Sequence, residues 1–158
     1  SLFENKTNLK SIVIPEGVEY INEKAFKGCS SLEGISFPDS VSRISSESFK
    51  GCQSIESVIL PKKLYNLSNY AFEDCTSLET ITIPNGIKKI DFDTFLNCTS
   101  LKSVYIPSSV TEINHGAFGV CTSLNTINSY GTEEEFKKIF VDRNNDAFLN
   151  ASVIYKTK

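Results

Sequence analysis

The apolar positions of this chain recur at one fixed interval. A leading Leu or Ile stands at Leu9, Leu32, Ile55, Leu78, Leu101 and Leu124, and three residues later come Ile12, Ile35, Val58, Ile81, Val104 and Ile127. Two further on are Ile14, Phe37, Leu60, Ile83 and Ile106, each followed at once by Pro15, Pro38, Pro61, Pro84 or Pro107. Val18, Val41, Leu64, Ile87 and Val110 then align, as do Ile21, Ile44, Leu67, Ile90 and Ile113. Phe26, Phe49, Phe72, Phe95 and Phe118 close the set, three residues before Cys29, Cys52, Cys75, Cys98 and Cys121. Every column advances by one and the same step, that from Cys29 to Cys52. A period of that size marks a stack of units, none of which can bury its apolar edge alone; neighbours turn those edges into one core.

Each slot predicts a piece of backbone. The alternation in Ile12-Val13-Ile14 is that of a half-buried strand, and the proline after it removes a ladder donor and ends the strand. Val18 to Ile21 predicts a second, shorter extended stretch. Asn22, Ser45, Ser68, Asp91 and Asn114 share the next slot, and such short polar side chains cap helices, so each predicts a brief helical turn carrying the Phe. Gly28, Gly51, Asp74 and Asn97 stand where that turn closes, residue types that tolerate a left-handed backbone; Val120 breaks the rule. The full units are 9–31, 32–54, 55–77, 78–100 and 101–123, with a sixth starting at 124.

Both ends depart from the pattern. Phe3 precedes Phe26 by that same step, so 1–8 is the tail of an earlier unit with Lys6 in the Cys slot. The chain is therefore expected to continue upstream or to begin at a modified cap. After Ile127, Ser129 and Tyr130 replace the apolar residue and the proline. Thr132-Glu133-Glu134-Glu135 is a capping box, and Phe136, Ile139 and Phe140 place one apolar stripe on the helix that follows. Arg143 to Asp146 predicts a turn and Ala151 to Tyr155 a last strand. The expected fold is a repeat solenoid over 1–127, a right-handed superhelix with a parallel β-sheet face and short turns opposite. Residues 128–158 form its C-terminal α/β cap.

The unit Leu-x-x-Ile-x-Ile-Pro-x-x-Val-x-x-Ile-x-x-x-Ala-Phe-x-x-Cys-x-Ser resembles the BspA-like class of leucine-rich repeats, and the segment from Gly131 to Phe136 resembles those that end the same class. The repeat is specific for fold and weak for function. The resemblance implies a cell-surface or secreted protein of a bacterium or protist. It also implies adhesion to a protein ligand such as a host extracellular-matrix protein.

Composition narrows the classes further. The 158 residues carry a net charge of -3, with a pI of about 5.2, which gives no footprint for nucleic acid. No apolar run approaches the roughly 20 residues that span a bilayer. The N-terminus lacks the apolar core of a signal peptide, but a chain with no Met at all looks like an excised piece of a longer one, so that absence carries no information. Five equally spaced cysteines are a repeat feature rather than a ligand cluster. Parallel strands about 4.8 Å apart hold equivalent sulfurs in poor geometry for a disulfide, so these thiols are structural, small groups filling the core like the five phenylalanines. His115 and Cys121 would make a nucleophile pair only if both were accessible, whereas the cysteine slot is buried and the histidine slot is not. No phosphate loop or metal motif is present, and neither an enzyme nor a cofactor is expected. The Asn-x-Ser/Thr sequences at Asn5, Asn66, Asn97 and Asn150 occur at a frequency that chance supplies.

The exposed columns of the sheet remain as the candidate ligand-binding site. One runs Lys10, Glu33, Glu56, Glu79, Lys102; another, between the buried positions, runs Val13, Ser36, Ile59, Thr82, Tyr105. Like charges at one-strand spacing repel, so Glu33, Glu56 and Glu79 suggest a basic partner. Ile59 and Tyr105 flanking Thr82 are the expected anchors. Lys62, Lys63, Lys88 and Lys89 form a weaker basic cluster. The leading expectation is a non-enzymatic protein-binding or adhesion module, the alternative a structural spacer or scaffold in a longer surface protein, and the third a module attached to an enzyme domain elsewhere.

Overall fold

In the computed structural model, which describes residues 2–156, each unit contributes two short strands that lie parallel to their equivalents in neighbouring units, in two rows that are each broken once into separate sheets. In chain order these are β1 (Ser11–Val13) and β2 (Tyr20–Ile21), β3 (Gly34–Ser36) and β4 (Arg43–Ile44), then β5 (Ser57–Val58) and β6 (Asn66–Leu67). They continue as β7 (Thr80–Thr82) and β8 (Lys89–Ile90), β9 (Ser103–Pro107) and β10 (Glu112–Ile113), and β11 (Thr126–Tyr130). The odd strands pair Ile12 with Ile35, Val58 with Ile81, and Ile81 with Val104, so homologue meets homologue at each rung. Ser1 of the partial first unit, and Thr157 and Lys158 of the C-terminal segment, lie outside the described residues.

Pro15, Pro38, Pro61 and Pro84 stand just beyond their strands, after Ile14, Phe37, Ile59-Leu60 and Ile83 respectively, whereas Pro107 is the last residue of β9, opposite Tyr130. The core forms as the pattern requires. Leu32, Ile44, Phe49, Leu64, Phe72, Phe95, Leu101 and all five cysteines are fully buried. From Phe3 to Phe118 and on to Phe148, the rings stack with centroids 5.1 to 5.8 Å apart. Beside them each thiol donates to the carbonyl of the preceding unit's Phe: Cys29 to Phe3, Cys52 to Phe26, Cys75 to Phe49, Cys98 to Phe72, Cys121 to Phe95, at 3.0 to 3.3 Å.

The brief helical turn expected in each unit does not form. The segment is a run of tight turns, because two residues per unit take a left-handed backbone. One is the expected closing residue, Gly28, Gly51, Asp74 and Asn97; Val120 adopts the same conformation at φ 56°. The other comes four residues earlier, at Lys24, Glu47, Tyr70, Asp93 and Gly116. Alternate amides are thereby turned outward to the next unit. Lys24, Phe26 and Gly28 donate to the carbonyls of Ser46, Ser48 and Lys50 at 2.8 to 3.1 Å, and the next units repeat the scheme. A helix would have spent those amides internally.

The C-terminal segment adds to both ladders. β12 (Phe140–Val141) pairs with β10, and β13 (Ser152–Tyr155) pairs with β11. Between β11 and β12 the capping box forms: Glu135 N donates to Thr132 Oγ1 and Thr132 N to Glu135 Oε2. The helix it opens, α1 (Glu133–Phe136), is one turn long. Phe136 and Ile139 are half-buried, while Phe140 is 60% exposed, since the chain has already left the helix for β12 and the expected stripe is broken. A second short helix, α2 (Asp146–Asn150), places Phe148 on the stacked rings. Just before it lies Asn145, with no exposure at all. Its Oδ1 accepts from Phe118 N at 2.9 Å, where earlier units use a backbone carbonyl, and its Nδ2 donates to Asn114 O and Asp142 O.

These positions bear on stability in opposite directions. A β-branched residue at positive φ is strained, by about 1–3 kcal/mol. Val120→Gly should therefore raise the urea midpoint even though it removes a side chain; an unchanged or lower midpoint would mean that the turn carries no strain. Asn145→Ala leaves the buried Phe118 amide without a partner, and the Asn114 carbonyl with only the Ala117 amide, and should cost about 1–3 kcal/mol in the same measurement.

Candidate functional site

The sheet face of the odd strands presents alternate residues outward, so its columns consist of side chains the core does not use. In the middle column Val13 is 76% and Ile59 88% exposed, and Thr82 is exposed as well. Tyr105, expected in the open, is half-buried. The Tyr130 ring stacks on it at 6.0 Å, and the Lys156 ammonium sits 5.0 Å from its centroid. Tyr130 occupies the slot that holds proline in the earlier units and can therefore turn a ring back over the sheet. Together with Ile59, Leu60, Lys62, Thr82 and Pro84, it lines a groove of about 640 Å³. The structure thus brings together Ile59 and Thr82 of the expected site and adds Tyr130, with Tyr105 as its support.

The glutamate column divides. Glu33 and Glu56 are exposed, but Glu79 is taken up by Lys102 at 2.6 Å, so the expected run of three uncompensated carboxylates ends at two. A solvated pair of this kind contributes only about 0–1 kcal/mol, and its effect on the site is on charge rather than on stability. Tyr130 was legible only as the first break in the proline series. It reaches over Tyr105 from the sixth unit, whose sequence departs from the pattern of the first five.

The groups that could do chemistry are engaged elsewhere. His115 Nε2 shares a 2.9 Å hydrogen bond with Asn144, while the Cys121 thiol points inward to Phe95 O. Burial pushes the Cys52 and Cys121 thiols up to about 12, and raises Cys75 and Cys98 well above their ordinary value. A nucleophile needs the thiolate, and these positions oppose it. Among the described residues, no group of three or more His, Cys, Asp or Glu side chains is placed to hold a metal ion, and no helix is long and apolar enough to cross a membrane.

A model of the BspA type leucine rich repeat region matches residues 1–150 in six copies. The chain belongs to the BspA-type leucine-rich repeat family. Members of this family and fold are typically non-enzymatic, and their build is that of a protein-interaction or scaffold module. No curated protein matches the chain. Among solved structures it is similar to a leucine-rich repeat protein of T. pallidum, at 24% identity and TM-score 0.72, covering 99% of this chain and 75% of that one. It is also similar to the pneumococcal vaccine antigen PcpA, at 19% identity and TM-score 0.75, covering 96% of this chain. A third, a leucine-rich repeat protein of Eubacterium ventriosum, has 22% identity and TM-score 0.70 over 89% of this chain. The chain spans 42% and 34% of the latter two. At these identities the likeness is one of fold.

The thiol row carries a pH dependence. An unfolded cysteine titrates near about 8.5, well below the folded values. The stability the buried thiols supply is therefore whole below that pH and is lost as pH rises toward about 12. The slope is up to about 1.4 kcal/mol per pH unit for each thiol. The urea midpoint should fall across this range, and less steeply in Cys75→Ala; equal slopes in the two proteins would contradict the burial argument.

Proposed function

We propose that this chain is the non-enzymatic protein-binding module of a cell-surface or secreted protein, acting in adhesion through the face of the odd strands. The observation that carries the reading is Ile59, an aliphatic side chain left 88% exposed on a rigid parallel sheet, at the edge of a groove walled by Tyr130. A large apolar group in that setting contributes nothing to the core, and apolar anchors surrounded by polar rims are what interfaces are built from. The sheet is pre-ordered, so a partner loses little to reorganisation of this side. The surface location draws support from the family and from the antigen description of the pneumococcal protein.

The test is surface-plasmon binding of the chain to a panel of purified extracellular-matrix proteins, with Ile59→Asp, Tyr130→Ala and a turn-face control, Phe92→Asp. Binding by the parent that weakens by about 1–3 kcal/mol in the first two and not in the control fits the proposal. Loss in the control alone would move the site to the opposite face. Failure of every panel member to bind would favour the spacer.

A further inference from the structure

The cations of this molecule are not treated alike. On the turn face, Lys27 pairs with Glu47 and Lys50 with Glu73, and on the second ladder Lys89 pairs with Glu112. At the proline end of the odd strands the pattern stops. Among the described residues Lys62, Lys63 and Lys88 have no carboxylate partner, although all three are exposed. Lys62 lines the apolar groove itself. The two loops that carry these lysines are pressed together by Gly86. A Cβ built there would meet Leu64 O at 2.3 Å and Tyr65 Cα at 3.5 Å, so backbone lies against backbone between the Lys62–Lys63 turn and the Lys88 turn. Like charges on neighbouring loops repel, and among the described residues no ion pair relieves these three.

We infer that the groove takes an extended polypeptide segment whose aliphatic or aromatic side chain sits between Ile59 and Tyr130, with carboxylates next to it over Lys62, Lys63 and Lys88. The inference rests on the sheet-face reading above and deepens it by naming the partner's charge. The acidic column lies at the other end of the strands, where Lys102 already answers Glu79, so the uncompensated charge beside the apolar groove is positive. An acidic segment gains from both at once. Its apolar residue leaves water, while its carboxylates relieve the lysine row and fix which way the segment runs.

The experiment uses the full chain as bait for a random peptide library displayed on phage, followed by fluorescence anisotropy with the enriched peptides as synthetic probes. Enriched sequences are expected to hold Asp or Glu within two residues of an aliphatic or aromatic one. Lys62→Glu and Lys88→Glu should each weaken them by about tenfold, with a steep salt dependence in the parent. Ile59→Asp should abolish binding and Glu56→Lys should leave it intact or tighter. A basic consensus that needs Glu56 and tolerates Lys62→Glu would overturn the acidic segment and leave the face standing. Peptides indifferent to Ile59→Asp, or no enrichment at all, would overturn both. These side chains lie on the surface, and equal urea midpoints of parent and variants verify that each variant folds.

Discussion

Every unit of this molecule is joined to the next by backbone hydrogen bonds at a fixed register, and the rest of the structure depends on that join. On the strand side Glu33 donates to Lys10, its equivalent one unit back; on the turn side Phe26 donates to Ser48, in the unit ahead. A constant register puts each side chain on its own homologue. Phe49 can then meet only Phe26 and Phe72 along the stack, and each thiol meets only a Phe carbonyl. The core is a set of columns, those of Phe and Cys a single residue type throughout and the rest apolar residues at one slot of the repeat. A void in one rung is therefore shared by both neighbours, which makes the column intolerant of changes in size.

A stack of this kind has a weakness at its ends, where amides and apolar rings lose their next partner. The C-terminal segment answers with unlike parts. Phe148 continues the rings and Asn145 replaces a backbone carbonyl with a side-chain amide, while β12 and β13 extend both ladders. The same segment shapes the candidate site. Tyr130 stands at the junction between the repeats and the closing part, so the groove owes one wall to a residue that no repeat supplies. The last strands and the candidate surface thus share one stretch of chain.

The division of labour between faces follows from the register too. On the turn side, where backbones approach through alternate amides, long cations and carboxylates meet across one rung and neutralise each other. On the sheet side the columns are flat and open, and a residue such as Ile59 has no neighbour large enough to cover it. Repeats fix the frame, and individual substitutions within outward columns are free to differ without disturbing the core.

The strands, the proline boundaries, the buried cysteines and the phenylalanine row were all determined by the sequence by itself. In a stack, a residue's spatial neighbour is the one a period away, so the contact list is already written in the spacing. The capping box at Thr132 and Glu135 was equally local, since both its bonds join neighbours on one helical turn. What only the tertiary structure decided involves backbone conformation or segments that are not equivalent. The second left-handed residue of each unit falls on Lys, Glu, Tyr, Asp and Gly; the first three have no preference for it, and bonds to the next unit impose it. Asn145 in the core, Tyr130 over Tyr105, and Lys102 on Glu79 are likewise invisible to periodicity. Each depends on where one non-repeating side chain comes to rest against another, and only folding brings those two together.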